Sequence, residues 1–269
     1  MEASDNRPYA IITGGSKGIG LAIAMALAKR EYNLVLIARN INDLILAKNN
    51  LESKYGVHVE IVSQDLTSDQ SADEIYKWCI DRKLTPQFLC NAAGIGGAKD
   101  YLSVPLEEMR FMIHLNVEST IAITMRLLPL LKTNNRSYIL NVSSMAGFAP
   151  IPVKNLYAAT KSAIIFYSYA LRYQLLNENV SVSCLCPGPV FTKPEIIQDT
   201  LEKLGWFGSA MAVTPEKVGE IAIKKALQRK LIIVPGALAS MTSFLLRVLP
   251  KRLLCYVYYK FGNNSKHKQ

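Results

Sequence analysis

The chain has 269 residues, half of them hydrophobic and 19% charged, with a formal net charge of +10. This composition supports a large buried core and excludes an intrinsically disordered chain. We expect no signal peptide from the polar N-terminus, and the apolar runs fall short of the roughly 20 residues that cross a bilayer.

The placement of cysteines and charges narrows the class further. Cys184 and Cys186 alternate as in a strand, without a histidine or a second cysteine pair nearby, so no metal site is predicted. A reduced, cytoplasmic protein is the simplest interpretation. Six Lys or Arg residues and no Asp or Glu occur from Arg247 onwards. Since no nucleic-acid-binding motif accompanies this charge, we expect no nucleic-acid partner.

Short β-branched strand patterns alternate with longer helical patterns along the chain. The predicted strands are Tyr9–Thr13, Asn33–Ala38, Val57–Ser63, Gln87–Asn91, Ser137–Val142, Val180–Cys186 and Leu231–Val234. Helices are predicted near 18–30, 40–54, 68–82, 105–132, 155–178 and 215–229. This alternation predicts an α/β fold with a parallel sheet, helices on both faces and a single domain over 1–269.

A glycine-rich turn, GGSKGIG, joins the first strand to the first helix. Glycines let the backbone approach a pyrophosphate, whose charge is stabilised at the helix N-terminus. The predicted nucleotide contacts here are Gly14, Ser16, Lys17, Gly18, Ile19 and Gly20. A merely tight turn between strand and helix is the alternative.

The end of the second strand bears on the choice of nucleotide. A carboxylate there would bind a ribose 2′-hydroxyl, whereas an arginine accommodates a 2′-phosphate. The strand ends at Arg39, and Lys17 lies in the preceding turn. Two cations without a carboxylate favour NADP(H) over NAD(H). The alternative is that Arg39 is an ordinary solvated strand end.

Two further strand ends carry residues suited to the same crevice. Asp65 and Leu66 follow the third strand, where a carboxylate can accept a hydrogen bond from the adenine amine. Asn91, Ala92 and Gly94 end the fourth strand, where small residues leave room for a ribose. Because ligands of open α/β sheets bind beyond the carboxyl ends of the strands, these residues are predicted to line one site.

Tyr157 and Lys161 lie four residues apart and share one face of a predicted helix. A phenol with an ordinary pKa near ~10 is a poor acid or base at neutral pH, but a neighbouring ammonium lowers its pKa. The pair therefore suits the interconversion of a carbonyl and an alcohol. A solvated surface pair is the alternative, because such spacings are common on helices.

The segments TGGSKGIG, NAAG, NVSS, YAATK and PGPVFT occur in the order and spacing of the short-chain dehydrogenase/reductase family, in its non-extended branch. The chain resembles that family from about Tyr9 to Val234. The resemblance implies a Rossmann-like, doubly wound, seven-stranded parallel sheet and NAD(P)-dependent oxidoreduction. Dimers or tetramers are common in the family, so a homo-oligomer is expected.

The resemblance also implies residue roles. It assigns the catalytic tetrad to Asn116, Ser144, Tyr157 and Lys161, because Ser144 and not Ser143 precedes the tyrosine by the family's spacing. In the family, the tyrosine is the acid or base, the serine orients the carbonyl, the lysine binds the nicotinamide ribose, and the asparagine holds a water. The segment beside the nicotinamide matches Pro187, Gly188, Val190 and Thr192. Ala92 departs from the second asparagine that is more usual in the family.

The predicted substrate is a hydrophobic ketone or alcohol, because the candidate pocket residues are apolar apart from one serine. They are Ser144, Phe148, Ile151, Phe191, Trp206 and Phe207. The segment of about 191–213 is expected to form a lid, with a packed surface helix as the alternative. Local similarity to reductases of 3-ketoacyl-CoA, 17β-hydroxysteroids and 3-ketosphinganine suggests a 3-oxoacyl chain, keto-steroid or sphingoid base. A non-catalytic nucleotide-binding scaffold and a nucleotide-sugar epimerase or dehydratase remain alternatives.

The C-terminal tail, about 236–269, mixes Leu, Phe and Tyr with Arg and Lys. Its charges exclude a membrane-spanning helix but suit an interfacial amphipathic helix beside anionic lipid. Packing over the pocket or against another subunit is the alternative to peripheral membrane contact.

Overall fold

The computed structural model describes residues 7–96, 104–190 and 213–266. Within these residues the strands are β1 (Tyr9–Thr13), β2 (Asn33–Ala38), β3 (Val59–Ser63), β4 (Pro86–Asn91), β5 (Ser137–Val142), β6 (Val180–Leu185) and β7 (Ile232–Ile233). All seven pair in parallel in the order β3-β2-β1-β4-β5-β6-β7. The predicted seven-stranded parallel sheet is therefore confirmed, although β3 begins two residues later than predicted.

All but the last two helices lie between the strands as the sequence predicts, and the last two follow β7. They are α1 (Gly18–Ala28), α2 (Ile41–Tyr55), α3 (Ser71–Asp81), α4 (Leu106–Ile113), α5 (Ser119–Lys132), α6 (Asn155–Gln174), α7 (Pro215–Leu227), α8 (Ala237–Val248) and α9 (Lys251–Lys266). The stretch predicted near 105–132 is helical, and a π-helical turn, His114–Glu118, divides it into α4 and α5. Two 3₁₀ turns, Met145–Phe148 and Pro152–Lys154, precede α6.

Alternate residues of each central strand point to opposite faces of the sheet, and each face carries a core. In β2, Leu36 belongs to the cluster beneath α1 and α7, whereas Val35 and Ile37 belong to the cluster beneath α3 and α5. Because both faces are covered, the central strands are predominantly apolar. Helices on both faces of the sheet, as predicted, are confirmed.

The strand order reverses at β1, which lies between β2 and β4. The chain winds from β1 to β3 in one direction and then crosses to β4 on the other side, which opens a crevice at the carboxyl ends of β1 and β4. The Thr13 hydroxyl closes the floor of this crevice by accepting hydrogen bonds from the amides of Ala92 and Ala93, at 3.1 and 3.2 Å.

The C-terminal helices α8 and α9 pack over the 3₁₀ turn that follows β5. A third core cluster joins Met145 and Phe148 of that turn to Ala239 and Leu246 of α8 and Leu254 of α9. Among the described residues, no helix combines the length and the hydrophobicity needed to cross a membrane.

Candidate active site

The turn after β1 has the backbone geometry of a phosphate-binding site. Gly14 and Gly18 have φ of +66° and +56°, in the left-handed region that favours glycine. A methyl group on Gly20 would lie 2.1 Å from the carbonyl oxygen of Gly14, so only glycine fits there. The half-buried Ser16 lies between them, and Ile19 anchors the start of α1 against the core. A turn rich in glycine at a helix N-terminus fits a dinucleotide pyrophosphate.

The region around the end of β2, beside this turn, differs from the prediction in one respect. Lys17 Nζ lies 2.8 Å from Asp43 Oδ2 of α2, so the expectation that no carboxylate lies beside these two cations is wrong. The Lys17 side chain is 70% exposed, and such surface pairs contribute little stability. Arg39 is also exposed, and its guanidinium lies over the Phe111 ring, 5.5 Å from the centroid. Arg39 is therefore the better candidate of the two cations for a 2′-phosphate.

Asp65 lies at the end of the same crevice and accepts hydrogen bonds through Oδ1. The donors are the amide and the hydroxyl of Thr67, at 3.0 and 2.8 Å. The Thr67 amide, with a smaller contribution from Arg39, lowers the pKa of Asp65, so the group stays an anionic acceptor. Its contact with an adenine amine stays a prediction. Leu66 is buried in the core, where only its backbone can face a nucleotide.

The Asn91 side chain is held in a buried environment. It is the last residue of β4, 2% exposed, and its Nδ2 donates to Thr124 Oγ1 and Asn141 Oδ1, both at 2.9 Å. Asn141 in turn donates to Ser168 on α6. The Asn91 side chain thus joins a buried polar network between the sheet and two helices, and the contact of this residue with the nucleotide stays a prediction. Sequence reasoning missed this network, whose signal is an asparagine within each of two apolar strands.

Asn116 lies in the π-helical turn and holds the segment that follows β4. Its Oδ1 accepts from the Ile95 amide at 2.8 Å, and its Nδ2 donates to the Ile95 carbonyl at 2.9 Å. Nδ2 also lies 3.1 Å from Oγ1 of Thr160 on α6. One buried amide therefore joins the crevice wall to the helix that carries the tyrosine and lysine. His114 Nε2 lies 2.7 Å from Glu118 Oε2, which links the two ends of the turn.

Lys161 is brought next to Tyr157, as its spacing predicts. Its Nζ lies 5.9 Å from the centroid of the Tyr157 ring and donates to the Val142 carbonyl at 3.0 Å. The residue is 6% exposed, and burial lowers the pKa of Lys161 to about 8, although the thiols of Cys184 and Cys186 act in the opposite direction. A methyl group on Gly94 would lie 3.3 Å from Nζ, so the ammonium borders the crevice.

The two adjacent serines have distinct environments. The buried Ser143 hydroxyl donates to the Lys161 carbonyl at 2.7 Å and so fastens β5 to α6. Ser144 is half-buried, and its Oγ accepts from the Ala146 amide at 3.2 Å, a bond that leaves the hydroxyl hydrogen for another acceptor. Ser144 is therefore the serine suited to contact a substrate oxygen.

The remaining predicted residues fall into three groups. The Pro187 carbonyl accepts from the Met145 amide at 3.0 Å, the half-buried Gly188 follows it, and Val190 pairs with Val213 in an isolated bridge. Thr192, Phe191, Trp206, Phe207 and the rest of the predicted lid up to 212 lie outside the described residues. Ile151 is half-buried at the edge of the third core cluster.

Phe148 has another role from the one predicted. Its side chain is 6% exposed within the third core cluster, and the Arg247 guanidinium lies over its ring at 5.2 Å. The prediction that Phe148 contacts substrate is wrong in this structure, because the ring is covered by α8 and supports the C-terminal helices.

Comparison with known proteins agrees with this geometry. The family model described as short chain dehydrogenase matches residues 8–200. The very-long-chain 3-oxoacyl-CoA reductase of Mus musculus is 32% identical over 200 residues, which are 72% of this chain and 64% of that protein, slightly less than two thirds of its length. The NADP-dependent 3-hydroxy acid dehydrogenase of Schizosaccharomyces pombe is 27% identical over 85% of this chain and 90% of its own. The structure of L-sorbose reductase from Gluconobacter frateurii, complexed with NADPH and L-sorbose, superposes with a TM-score of 0.76 at 25% identity and covers 87% of this chain and 97% of that one.

Proposed function

This chain belongs to the short-chain dehydrogenase family of oxidoreductases, and we propose that it is an NADPH-dependent ketoreductase of a lipophilic substrate. The reaction converts a ketone to a secondary alcohol, or the reverse. The observation that carries the proposal is the buried Lys161 ammonium, held between the Tyr157 ring and the Val142 carbonyl at the edge of the crevice.

Each of the tetrad side chains has a separate role in the reduction of the carbonyl group. The Lys161 ammonium favours the phenolate of Tyr157, which makes its hydroxyl a stronger acid at neutral pH. Tyr157 delivers a proton to the carbonyl oxygen, and the Ser144 hydroxyl donates a hydrogen bond that holds this oxygen and stabilises its developing charge. Asn116 keeps the Ile95 segment and α6 in register. When bound, the nicotinamide cofactor supplies the hydride.

The choice of NADPH over NADH rests on Arg39, directly after β2. Arg39 contacts an aromatic ring and is exposed, so its guanidinium is accessible to a 2′-phosphate. The relatives support the choice, because one is named NADP-dependent and another is complexed with NADPH. The glycine turn, Asp65 and the backbone of 91–94 are the proposed contacts with the remainder of the cofactor.

The substrate class is a proposal from chemistry and from relatives. The mouse relative is named for very-long-chain 3-oxoacyl-CoA, which favours a 3-oxoacyl chain or a similar lipid ketone. Phe191, Trp206 and Phe207 stay the proposed apolar wall, together with Ile151.

We also propose that the protein is a homodimer through α6. Phe166 and Tyr173 are 72% and 69% exposed and lie seven residues apart on one face of that helix. The exposed Ala163 and Ala170 lie on the same face. An exposed apolar stripe of this kind is typical of a helix that packs against a partner. In size-exclusion chromatography with light scattering, Phe166→Glu should yield a monomer. Leu46→Glu, at a 70% exposed leucine of α2, should leave the dimer intact.

The proposed reaction is tested by Tyr157→Phe in an NADPH-oxidation assay over 3-ketosphinganine, 3-oxoacyl thioesters and keto-steroids. Removing the proton donor should lower turnover by about 10² to 10⁴-fold while leaving NADPH affinity within about threefold. Tyr55→Phe, the same change on α2, is the matched control. Turnover by Tyr157→Phe near the parent level would refute the role of the acid. NADPH binding by the parent without turnover of any ketone would favour a non-catalytic protein.

A further inference from the structure

The outward face of α8 is apolar, the reverse of an ordinary surface helix. Met241, Phe244, Leu245 and Val248 are 69%, 62%, 55% and 66% exposed. At 3.6 residues per turn these four positions fall within about 100° of the helix circumference. The opposite side of α8 is buried and carries Ala239, Ser243 and Leu246. The side of α8 that faces solvent is thus as apolar as the side that faces the core, which marks a contact surface.

The next helix, α9, adds to this surface and brings positive charge. Leu253, Tyr256 and Val257 are 47%, 58% and 38% exposed and also share one helix face. We call these three residues, with the four of α8, the apolar face. The exposed Arg252 and Lys260 lie on the same helix, and no Asp or Glu occurs in the sequence after Glu220.

We propose that the apolar face binds the surface of an anionic phospholipid bilayer. Aliphatic and aromatic side chains enter the boundary between headgroups and acyl chains, while arginine and lysine pair with the lipid phosphates. A second copy of this chain is a poorer partner for the face. A two-fold interface sets a surface against itself and would place cations opposite cations without a compensating carboxylate.

The apolar face is joined directly to the 3₁₀ turn Met145–Phe148. Lys251 Nζ donates to the Phe148 carbonyl at 2.8 Å and to the Leu246 carbonyl at 3.0 Å, so one ammonium links the start of α9 to the end of both α8 and the 3₁₀ turn. That turn begins directly after Ser144. The bilayer would therefore lie beside the crevice entrance, and, given the ketoreductase function proposed above, the substrate is a membrane amphiphile taken from the bilayer surface.

The test is sedimentation of the purified full chain with phospholipid vesicles. Phosphatidylcholine vesicles with about 30 mol% phosphatidylglycerol should bind the protein at low salt and release it at about 0.5 M salt, where the Debye length is only a few ångströms. Vesicles of phosphatidylcholine alone should bind it at least tenfold more weakly. Neutralising Arg252→Gln and Lys260→Gln together should weaken binding about 25-fold, since each cation at an anionic surface contributes about fivefold. The same changes at the exposed Lys77 and Lys225 are the matched control and should leave binding unchanged.

Phe244→Glu tests the apolar part of the face, with Leu46→Glu of α2 as its control. We expect at least a tenfold loss of vesicle binding for Phe244→Glu and none for the control. Absence of sedimentation at low salt, or equal binding by Phe244→Glu and the parent, would overturn the proposal. So would a dimer that dissociates in Phe244→Glu while vesicles bind neither protein, because a second copy would then cover the face. Turnover of a water-soluble ketone without vesicles tests the reaction separately, so that either proposal can fail while the other stands.

Discussion

The buried ammonium of Lys161 should destabilise the fold in which it acts. Burial lowers its pKa from 10.5 to about 8, so the folded protein holds this proton less tightly than the unfolded chain does. A difference of this size corresponds to about 3 kcal/mol. Because the pKa of Lys161 is lower in the folded protein than in the unfolded chain, its contribution to stability is greatest above about pH 10.5, where this side chain is neutral in both states. That contribution is lost as the pH falls through about 8, because the buried side chain then carries its charge.

Lys161→Met isolates this effect, since methionine fills a similar volume without charge. The variant loses the hydrogen bond to the Val142 carbonyl, which costs about 1 kcal/mol, and is relieved of the charge penalty of about 3 kcal/mol. We therefore expect its free energy of unfolding at pH 7 to exceed that of the parent by about 2 kcal/mol. Near pH 10 most of the penalty has gone, and the advantage should disappear. The variant should also lose ketone reduction, so that stability rises as activity falls.

The measurement is denaturant unfolding of both proteins at pH 7 and pH 10, with equal m-values as the check that the denatured states are comparable. Other titrating groups are common to both proteins and cancel in the difference. Lys77→Met, at an exposed lysine of α3, should show no pH-dependent difference from the parent. A Lys161→Met variant that is less stable than the parent by the same amount at both pH values would refute the reasoning.

Three further predictions follow from the site. Ser144→Ala should lower kcat/KM for ketone reduction about 100-fold, whereas Ser143→Ala should lower it less than tenfold and reduce the free energy of unfolding by about 1 kcal/mol; the reverse ranking would show that the wrong serine has been assigned. Arg39→Asp should shift the ratio of kcat/KM for NADPH over NADH by at least about tenfold toward NADH, and an unchanged ratio would remove the 2′-phosphate argument. Gly20→Ala places a methyl group 2.1 Å from a carbonyl oxygen, so NADPH titrations should show no binding; unaltered affinity would mean that this turn is not the phosphate site.

The sheet could be predicted closely because its signal is local. Runs such as NLVLIA and SYILNV are buried on both faces, and this requires apolar residues at nearly every position. The ends of strands were predicted less well, as at β3 and β7, because a strand ends where its neighbour stops pairing with it. The Tyr157–Lys161 pair was also accessible from its spacing, since spacing along a helix fixes which side chains are neighbours. Ser144 was assigned through the resemblance to the family.

What sequence reasoning missed depends on contacts between distant residues. Asp43 pairs with Lys17 across 26 positions of chain, and nothing local in either segment signals the pair. Phe148 has the composition of a pocket residue, but α8, about 90 residues later, covers it. The break between α4 and α5 likewise leaves no composition signal, because the residues of the π-helical turn are ordinary helix residues.

That π-helical turn has a consequence beyond the hydrogen bonds of Asn116. A π turn contains one residue more than the α turn it replaces, so every side chain after it is rotated by about 100° relative to a continuous helix. The rotated residues include Ile123, Leu127 and Leu131 of α5, which are packed in the core beneath the sheet. The same turn therefore sets both the position of Asn116 beside the crevice and the direction in which the interior face of α5 points. A change of chain length at this position would alter the packing of the protein interior together with its active site.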